Sequence, residues 1–109
     1  MVKVVYHRDL LRLSMEGHAC GGEEGHDLIC ASASILAETL AELVANMKKS
    51  GQTRYPTVRL SKGEALIQCT VAKRFEPVVR FAFDAICAGF ELLAQSYPDN
   101  ISYEIRGKI

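Results

Sequence analysis

A histidine and a cysteine near the N-terminus have the residue types and spacing that nucleophilic catalysis requires. His18 lies in Gly17-His18-Ala19, and Cys30 follows twelve residues later, after a glycine-rich loop. A thiolate attacks carbonyl carbon, and a nearby imidazole can take up the thiol proton and later return it to a leaving group. The pair therefore predicts a Cys–His active site, provided that the fold brings the two residues together.

The segment before Cys30 predicts a helix start that favours the thiolate. Asp27 suits the N-cap, where its carboxylate accepts a hydrogen bond from a backbone N–H of the first turn. Counted from this cap, Cys30 is the third helical residue, close to unpaired N–H groups and the positive end of the helix dipole. Those N–H groups could also bind the oxyanion of a tetrahedral intermediate. Ser34 lies one turn further along the same stripe and could reach the thiol.

Structural interpretations of the same residues stay open. A histidine at a strand end is more often structural than catalytic, and an aspartate at an N-cap needs no chemistry. His26 competes with His18 as the base, but a residue before the N-cap is expected to point away from the cysteine. Ser34 suits packing and catalysis about equally. The small residues further along its stripe, Ala37 and Ala41, are expected to make a close helix-on-sheet contact.

A metal site is the competing chemistry at this loop. His18, Cys20, His26 and Cys30 offer two nitrogen and two sulfur ligands, which is a set that zinc accepts. However, the spacing lacks the tight Cys-x-x-Cys knuckle of structural zinc sites. We therefore expect no metal and no cofactor.

Composition limits the class of protein that could carry such a site. The chain has 109 residues, 49% of them hydrophobic, which suits one domain over residues 1–109. Thirteen Lys and Arg balance thirteen Asp and Glu, so no overall field attracts nucleic acid or an anionic membrane, and no direct nucleic-acid partner is expected. We find no apolar run near the roughly 20 residues of a membrane span, and Met1 to Tyr6 has a strand pattern rather than that of a signal peptide. These features predict a cytoplasmic protein.

The other cysteines fit reduced thiols better than a disulfide framework. Cys69 alternates with apolar residues in a strand pattern and Cys87 lies in an apolar helix, so both are predicted core residues. Cys20 and Cys30 differ, because packing does not explain a cysteine beside a polar, glycine-rich loop.

Hydrophobic periodicity predicts five strands and two helices in the order ββαββαβ. The fold class is α+β, with both helices packed on one face of a mostly antiparallel sheet. The predicted strands cover residues 2–7, 11–17, 58–60, 65–71 and 101–105, and the predicted helices cover residues 28–49 and 77–97. Lys48, Lys49 and Gly51 are expected to end the first helix. A hairpin turn is predicted at Ser61-Lys62-Gly63.

These motifs resemble those of a known family, the bacterial ribosomal-processing cysteine proteases called Prp. The family signature is Gly-His-Ala, a glycine-containing loop and then Gly-x-Asp-x-x-Cys-Ala-x-x-Ser. The sequence matches it at Gly17-His18-Ala19 and at Gly25, Asp27, Cys30, Ala31 and Ser34. Chain length and element order agree with the family along essentially the whole chain.

The resemblance implies a cytoplasmic, homodimeric endopeptidase whose partner is a ribosomal protein precursor. It would remove a short N-terminal extension from large-subunit ribosomal protein L twenty-seven, cutting after an aromatic pair. Cys30 would be the nucleophile and His18 the general base, with Gly17, Asp27 and Ser34 in support.

The loop departs from the family pattern, because Cys20 follows Ala19 where relatives often have a bulkier residue. This departure suggests a reversible Cys20–Cys30 disulfide as oxidative protection. Two other classes of function remain: a non-enzymatic ribosome-associated assembly module, and a different Cys–His acyl-transfer enzyme.

Overall fold

The computed structural model describes residues 1–17, 26–61 and 63–107, which form one sheet and two helices. The elements alternate in the predicted order. They are β1 (Val2–His7), β2 (Arg12–Glu16), α1 (His26–Lys49), β3 (Thr53–Ser61), β4 (Glu64–Val71), α2 (Glu76–Ser96) and β5 (Ile101–Arg106). A short 3-10 turn, Lys73–Phe75, precedes α2.

The five strands form a mixed sheet in the order β3-β4-β2-β1-β5. β1 and β5 run parallel, and the other three neighbouring pairs are antiparallel. The predicted hairpin of β3 and β4 is confirmed, because Ser61 pairs with Glu64. β3 begins at Thr53 rather than at the predicted residue 58, because the strand continues on the other side of a bulge between Arg54 and Thr57. This long strand is one edge of the sheet.

The core lies between one face of the sheet and the two helices. Alternate residues of the strands point into it, as the period of two requires. The sheet contributes Tyr6, Leu13 and Ile67, and α2 contributes Phe83 and Phe90, all of them fully buried. Cys69 and Cys87 are buried as well, which confirms the prediction that they are core residues.

The open face of the sheet is polar and charged. A groove of about 760 Å³ runs across it and includes Lys3, Arg12, Arg59 and Glu64 among its lining residues. Because both helices occupy the opposite face, this arrangement confirms the predicted two-layer α+β architecture.

Helix α1 ends as the sequence predicts. Lys48 and Lys49 lie in its last turn. Gly51 has a φ of 79°, and its N–H donates to the carbonyl of Lys48 at 3.0 Å. The N–H of Gln52 donates to Met47 at 2.7 Å and turns the chain into β3.

The expectation that no segment has the length and hydropathy of a membrane span was wrong. By those two criteria, Leu28–Lys49 qualifies, with a hydropathy of 1.7. About 33% of this window is buried, including Ala33, Ala37 and Leu40, each no more than 1% exposed. Exposed residues such as Leu28 and Ile35 add to its hydropathy. One face of α1 therefore packs in the core of this fold.

Candidate active site

Gly17 terminates β2 in a conformation that favours glycine. Its φ is 101°, a region that side chains rarely adopt. A Cβ at this position would overlap the backbone carbonyl of Met1. The N–H of Gly17 donates to the carbonyl of Gly63 at 2.9 Å, which joins the end of β2 to the β3–β4 turn. The glycine therefore determines where the chain leaves the sheet, one residue before His18.

Helix α1 begins earlier than the sequence predicts, and this changes the position of Cys30. The first helical residue is His26, so Asp27 is the second helical residue rather than the N-cap. Cys30 becomes the fifth residue, and its N–H is directed at the carbonyl of His26 in the α-helical pattern. Local signals locate helix ends only to within one or two residues. The backbone donors left for an oxyanion belong to the residues before Cys30.

Cys30 and Gly17 lie at the same end of the sheet. The Thr53 hydroxyl donates to the carbonyl of Val44 at 3.0 Å, which anchors the start of β3 beneath the C-terminal half of α1. Cys30 lies fourteen residues before Val44, which is about 21 Å along the helix. Ser61 lies eight residues after Thr53, which is about 26 Å along β3. By these lengths Cys30 is level with the last residues of β3, at the end of the sheet where Gly17 is bonded to Gly63.

Cys30 is half-buried, and it is a free thiol that packs against the core. Ser34 is exposed one turn later on the same stripe, whereas Ala37 and Ala41 are buried as predicted. The other two described cysteines are inaccessible. Burial raises the pKa of the Cys69 thiol to about 11 and that of Cys87 to about 12. Among the described cysteines, Cys30 is therefore the one suited to react.

The flank of α1 that carries Cys30 faces away from α2. Leu36 and Ser32, on the other flank, line a groove with Gly89 and Leu92 of α2. Positions 30 and 34 are about 100° or more from that contact around the helix. They lie on the side away from α2, and α1 packs over β3 and β4.

Two apolar side chains of β3 that no sequence motif marks lie on this side. Val58 pairs with Ile67, and Leu60 pairs with Ala65. Paired residues share a face of the sheet, so Val58 and Leu60 belong to the helix-covered face. They are nevertheless 41% and 46% exposed, because β3 is the edge strand. They form an apolar shelf (Val58 and Leu60) level with Cys30. Alternation indicated the strand, but only the strand order shows that its side chains are uncovered.

Several predicted site groups lie outside the described residues: His18, Cys20 and the side chains of His26 and Asp27. Three predictions therefore fall outside the described residues: the His18 base, the Cys20–Cys30 disulfide, and three of the four ligands of the alternative zinc site. In the described part of the chain, no three histidine, cysteine or acidic side chains cluster as metal ligands.

A protein-family model described as the cysteine protease Prp matches residues 1–102 of this chain. No protein with a curated function matches the sequence.

Solved structures that share the fold include the following three. SMU.848 from Streptococcus mutans matches with a TM-score of 0.72 and 22% identity, over 96% of this chain and 91% of that one. The ribosomal processing protease Prp from S. aureus, in complex with a substrate peptide, matches with a TM-score of 0.71 and 20% identity, over 97% and 100% of the two chains. The same S. aureus protease with a covalently linked product peptide gives a TM-score of 0.69 and 21% identity, over 96% and 97%.

Proposed function

The chain belongs to the Prp family of cysteine proteases, and from this membership we propose that it is the processing endopeptidase of a ribosomal protein precursor. The substrate is the N-terminal extension of large-subunit ribosomal protein L twenty-seven, cut after an aromatic pair. The protein works as a homodimer in the cytoplasm. Membership in a protease family favours this function over the non-enzymatic assembly module.

The observation that carries the proposal is the position of Cys30. Of the cysteines in the described ranges, it alone is partly exposed, and it lies at the end of the sheet where the chain continues from Gly17 to His18. A partly exposed thiol one turn from the helix start is a suitable nucleophile, because an imidazole can take up its proton and the free N–H groups of the first turn lie close by.

The mechanism assigns one role to each residue. His18 accepts the proton of the Cys30 thiol, and the sulfur attacks the scissile carbonyl carbon. The resulting oxyanion accepts hydrogen bonds from unpaired N–H groups of the first turn of α1. When the C–N bond breaks, His18 returns its proton to the leaving amine and a thioester remains on Cys30. Water deprotonated by His18 then hydrolyses the thioester, releasing the carboxylate and regenerating the thiol.

Gly17, Asp27 and Ser34 have supporting roles. Gly17 sets the path of the chain into His18, since a side chain there would be strained and would overlap Met1. Asp27 adds a carboxylate to the first turn of α1, where the dipole stabilises it. Ser34 presents an exposed hydroxyl one turn from the sulfur.

The apolar shelf supports a substrate with apolar residues next to the cut. Val58 and Leu60 leave part of their surface in water although they face the helix layer. An extended peptide beside β3 could pair with the free backbone edge and lay alternate side chains on this shelf, a recurring mode of peptide recognition. An aromatic pair would gain most from such burial.

A cleavage assay tests the proposal. The wild type, Cys30→Ala and, as a matched control, Cys69→Ala are incubated with a peptide that spans the extension junction, and products are identified by mass spectrometry. We expect one cleavage by the wild type and by the Cys69 variant, and none by Cys30→Ala. Cleavage by Cys30→Ala at the wild-type rate would exclude this nucleophile. An intact peptide with all three proteins would exclude this substrate.

A further inference from the structure

The zero net charge of this protein conceals an uneven distribution. Between residues 43 and 75 the sequence has seven lysines and arginines and one acidic residue, Glu64. The remaining 76 residues therefore hold six of the thirteen basic residues and twelve of the thirteen acidic ones. The basic stretch covers the end of α1, the β3–β4 hairpin and the turn before α2. Such a local excess of positive charge can attract an anionic ligand even where the whole chain is neutral.

Tertiary structure gathers most of this charge at one corner. Lys48 and Lys49 end α1, and the Gln52 N–H bond to Met47 places β3 directly beside them. Thr53 pairs with Val71, so the 3-10 turn that follows β4 begins near the start of β3. We define the basic corner as the exposed residues of these three segments: Lys48, Lys49, Arg54, Tyr55, Lys73 and Arg74. It lies at the opposite end of β3 from Cys30.

Tyr55 is the unusual member of the basic corner. Its φ is 49°, in the left-handed region that a bulky residue rarely adopts. The bulge at Arg54 holds it there, because the hydroxyl of Thr70 donates to the Arg54 carbonyl at 3.0 Å. The side chain is 83% exposed, so packing in the fold does not compensate for the strained backbone. Backbone strain that packing does not explain is a mark of a functional position.

We propose that the basic corner binds single-stranded RNA. An exposed aromatic ring among cations is the combination that such strands require, because phosphates pair with the cations and an unstacked base lies on the ring. An acidic peptide would use the cations but has no flat base to stack on Tyr55. The surface is separate from the active site, so the protein can hold RNA and a peptide at the same time.

Fluorescence anisotropy with a labelled, unstructured 12-nucleotide RNA tests this proposal. Lys49→Gln combined with Lys73→Gln removes two charges from the corner. Lys3→Gln combined with Arg106→Gln is the matched control, since both residues lie on strands at the far side of the sheet. Each cation neutralised on a single strand contributes about 0.7 to the slope of log affinity against log salt. We expect the corner variant to lower that slope by about 1.4 and the control variant to leave it unchanged.

Substitutions at Tyr55 separate stacking from charge. Tyr55→Asn removes the ring with a residue that tolerates a positive φ, and Tyr55→Phe retains the ring. Because Tyr55→Asn removes the ring on which a base stacks, we expect its RNA affinity to fall about tenfold. Tyr55→Phe keeps the ring and should retain the affinity of the wild type. A poly-glutamate peptide of equal charge should bind weakly and show no response to Tyr55→Asn.

The proposal is wrong if the wild type does not bind RNA at low salt. It is equally wrong if both charge variants lose the same affinity, or if poly-glutamate binds as tightly as RNA. Unfolding temperatures of all variants, measured alongside, show that a loss of binding comes from the surface and not from misfolding. Cleavage of a free peptide by Tyr55→Asn should match that of the wild type, because Tyr55 is remote from Cys30.

Discussion

Removal of a single oxygen atom, in Tyr6→Phe, tests how the sheet is joined to α2. The buried Tyr6 hydroxyl donates to Oδ1 of Asp84 at 2.8 Å. Arg8 donates to both oxygens of the same carboxylate, at 3.1 and 3.0 Å. Since Tyr6 belongs to β1 and Asp84 to α2, the hydroxyl contributes a direct polar link between the two layers.

The expected cost follows from what the substitution keeps. A hydrogen bond to a charged group contributes about 1.5–3 kcal/mol. The Asp84 side chain is 37% exposed and retains both bonds from Arg8, so water can replace the lost donor. The ring of residue 6 also keeps its stacking on Phe83, at a centroid distance of 6.0 Å. We therefore expect a loss near the lower limit, about 1.5 kcal/mol, which lowers the unfolding temperature by about 6–12 °C.

The loss should depend on pH. Burial by itself raises the pKa of Asp84, but the hydrogen bonds from Arg8 and Tyr6 outweigh it and leave that pKa below its ordinary value. A carboxyl whose pKa is lower in the folded state stabilises the fold above its unfolded pKa of about 3.9. That contribution is lost as the pH falls through the folded pKa. The penalty of Tyr6→Phe should accordingly be smaller at pH 2.5 than at pH 7.

Urea unfolding followed by circular dichroism at both pH values measures this effect. Tyr97→Phe is the control, because Tyr97 is 41% exposed, and we expect it to change the free energy of unfolding by less than about 0.5 kcal/mol. A Tyr6→Phe variant as stable as the wild type at pH 7 would refute the reasoning. So would a penalty that is the same at both pH values.

Three further outcomes are expected. Gly17→Ala should lose at least about 1 kcal/mol of stability and most of its peptidase activity, because a Cβ there overlaps the backbone of the N-terminal residue and φ is 101°; wild-type values in urea unfolding and peptide cleavage would contradict this. Iodoacetamide at pH 8 should alkylate Cys30 and leave Cys69 and Cys87 unmodified in peptide mapping, since burial raises the pKa of those two thiols to about 11 and about 12. Phe83→Ala should cost about 3–5 kcal/mol, because the side chain is fully buried, and a loss below about 1 kcal/mol in urea would show that the core closes around the cavity.

The element order and the family motif could be read from the sequence because both depend on near neighbours. Alternation in β1 and spacing in α2 reflect which side of one segment is buried. Pro77 near the start of α2 and Gly51 after α1 act through their own backbone geometry. The prediction of Asp27 as N-cap was wrong, because α1 begins at His26 and local signals locate a helix start only to within one or two residues.

Tertiary structure decided what depends on residues far apart in the chain. Alternation does not reveal that β3 is an edge, and therefore that Val58 and Leu60 are partly exposed. The bond between Tyr6 and Asp84 joins residues 78 positions apart. The segments that carry Lys49 and Lys73 end at one corner only because β3 pairs with β4 in one register. Pairing and register result from the packing of the whole sheet on its two helices, so no single segment contains them.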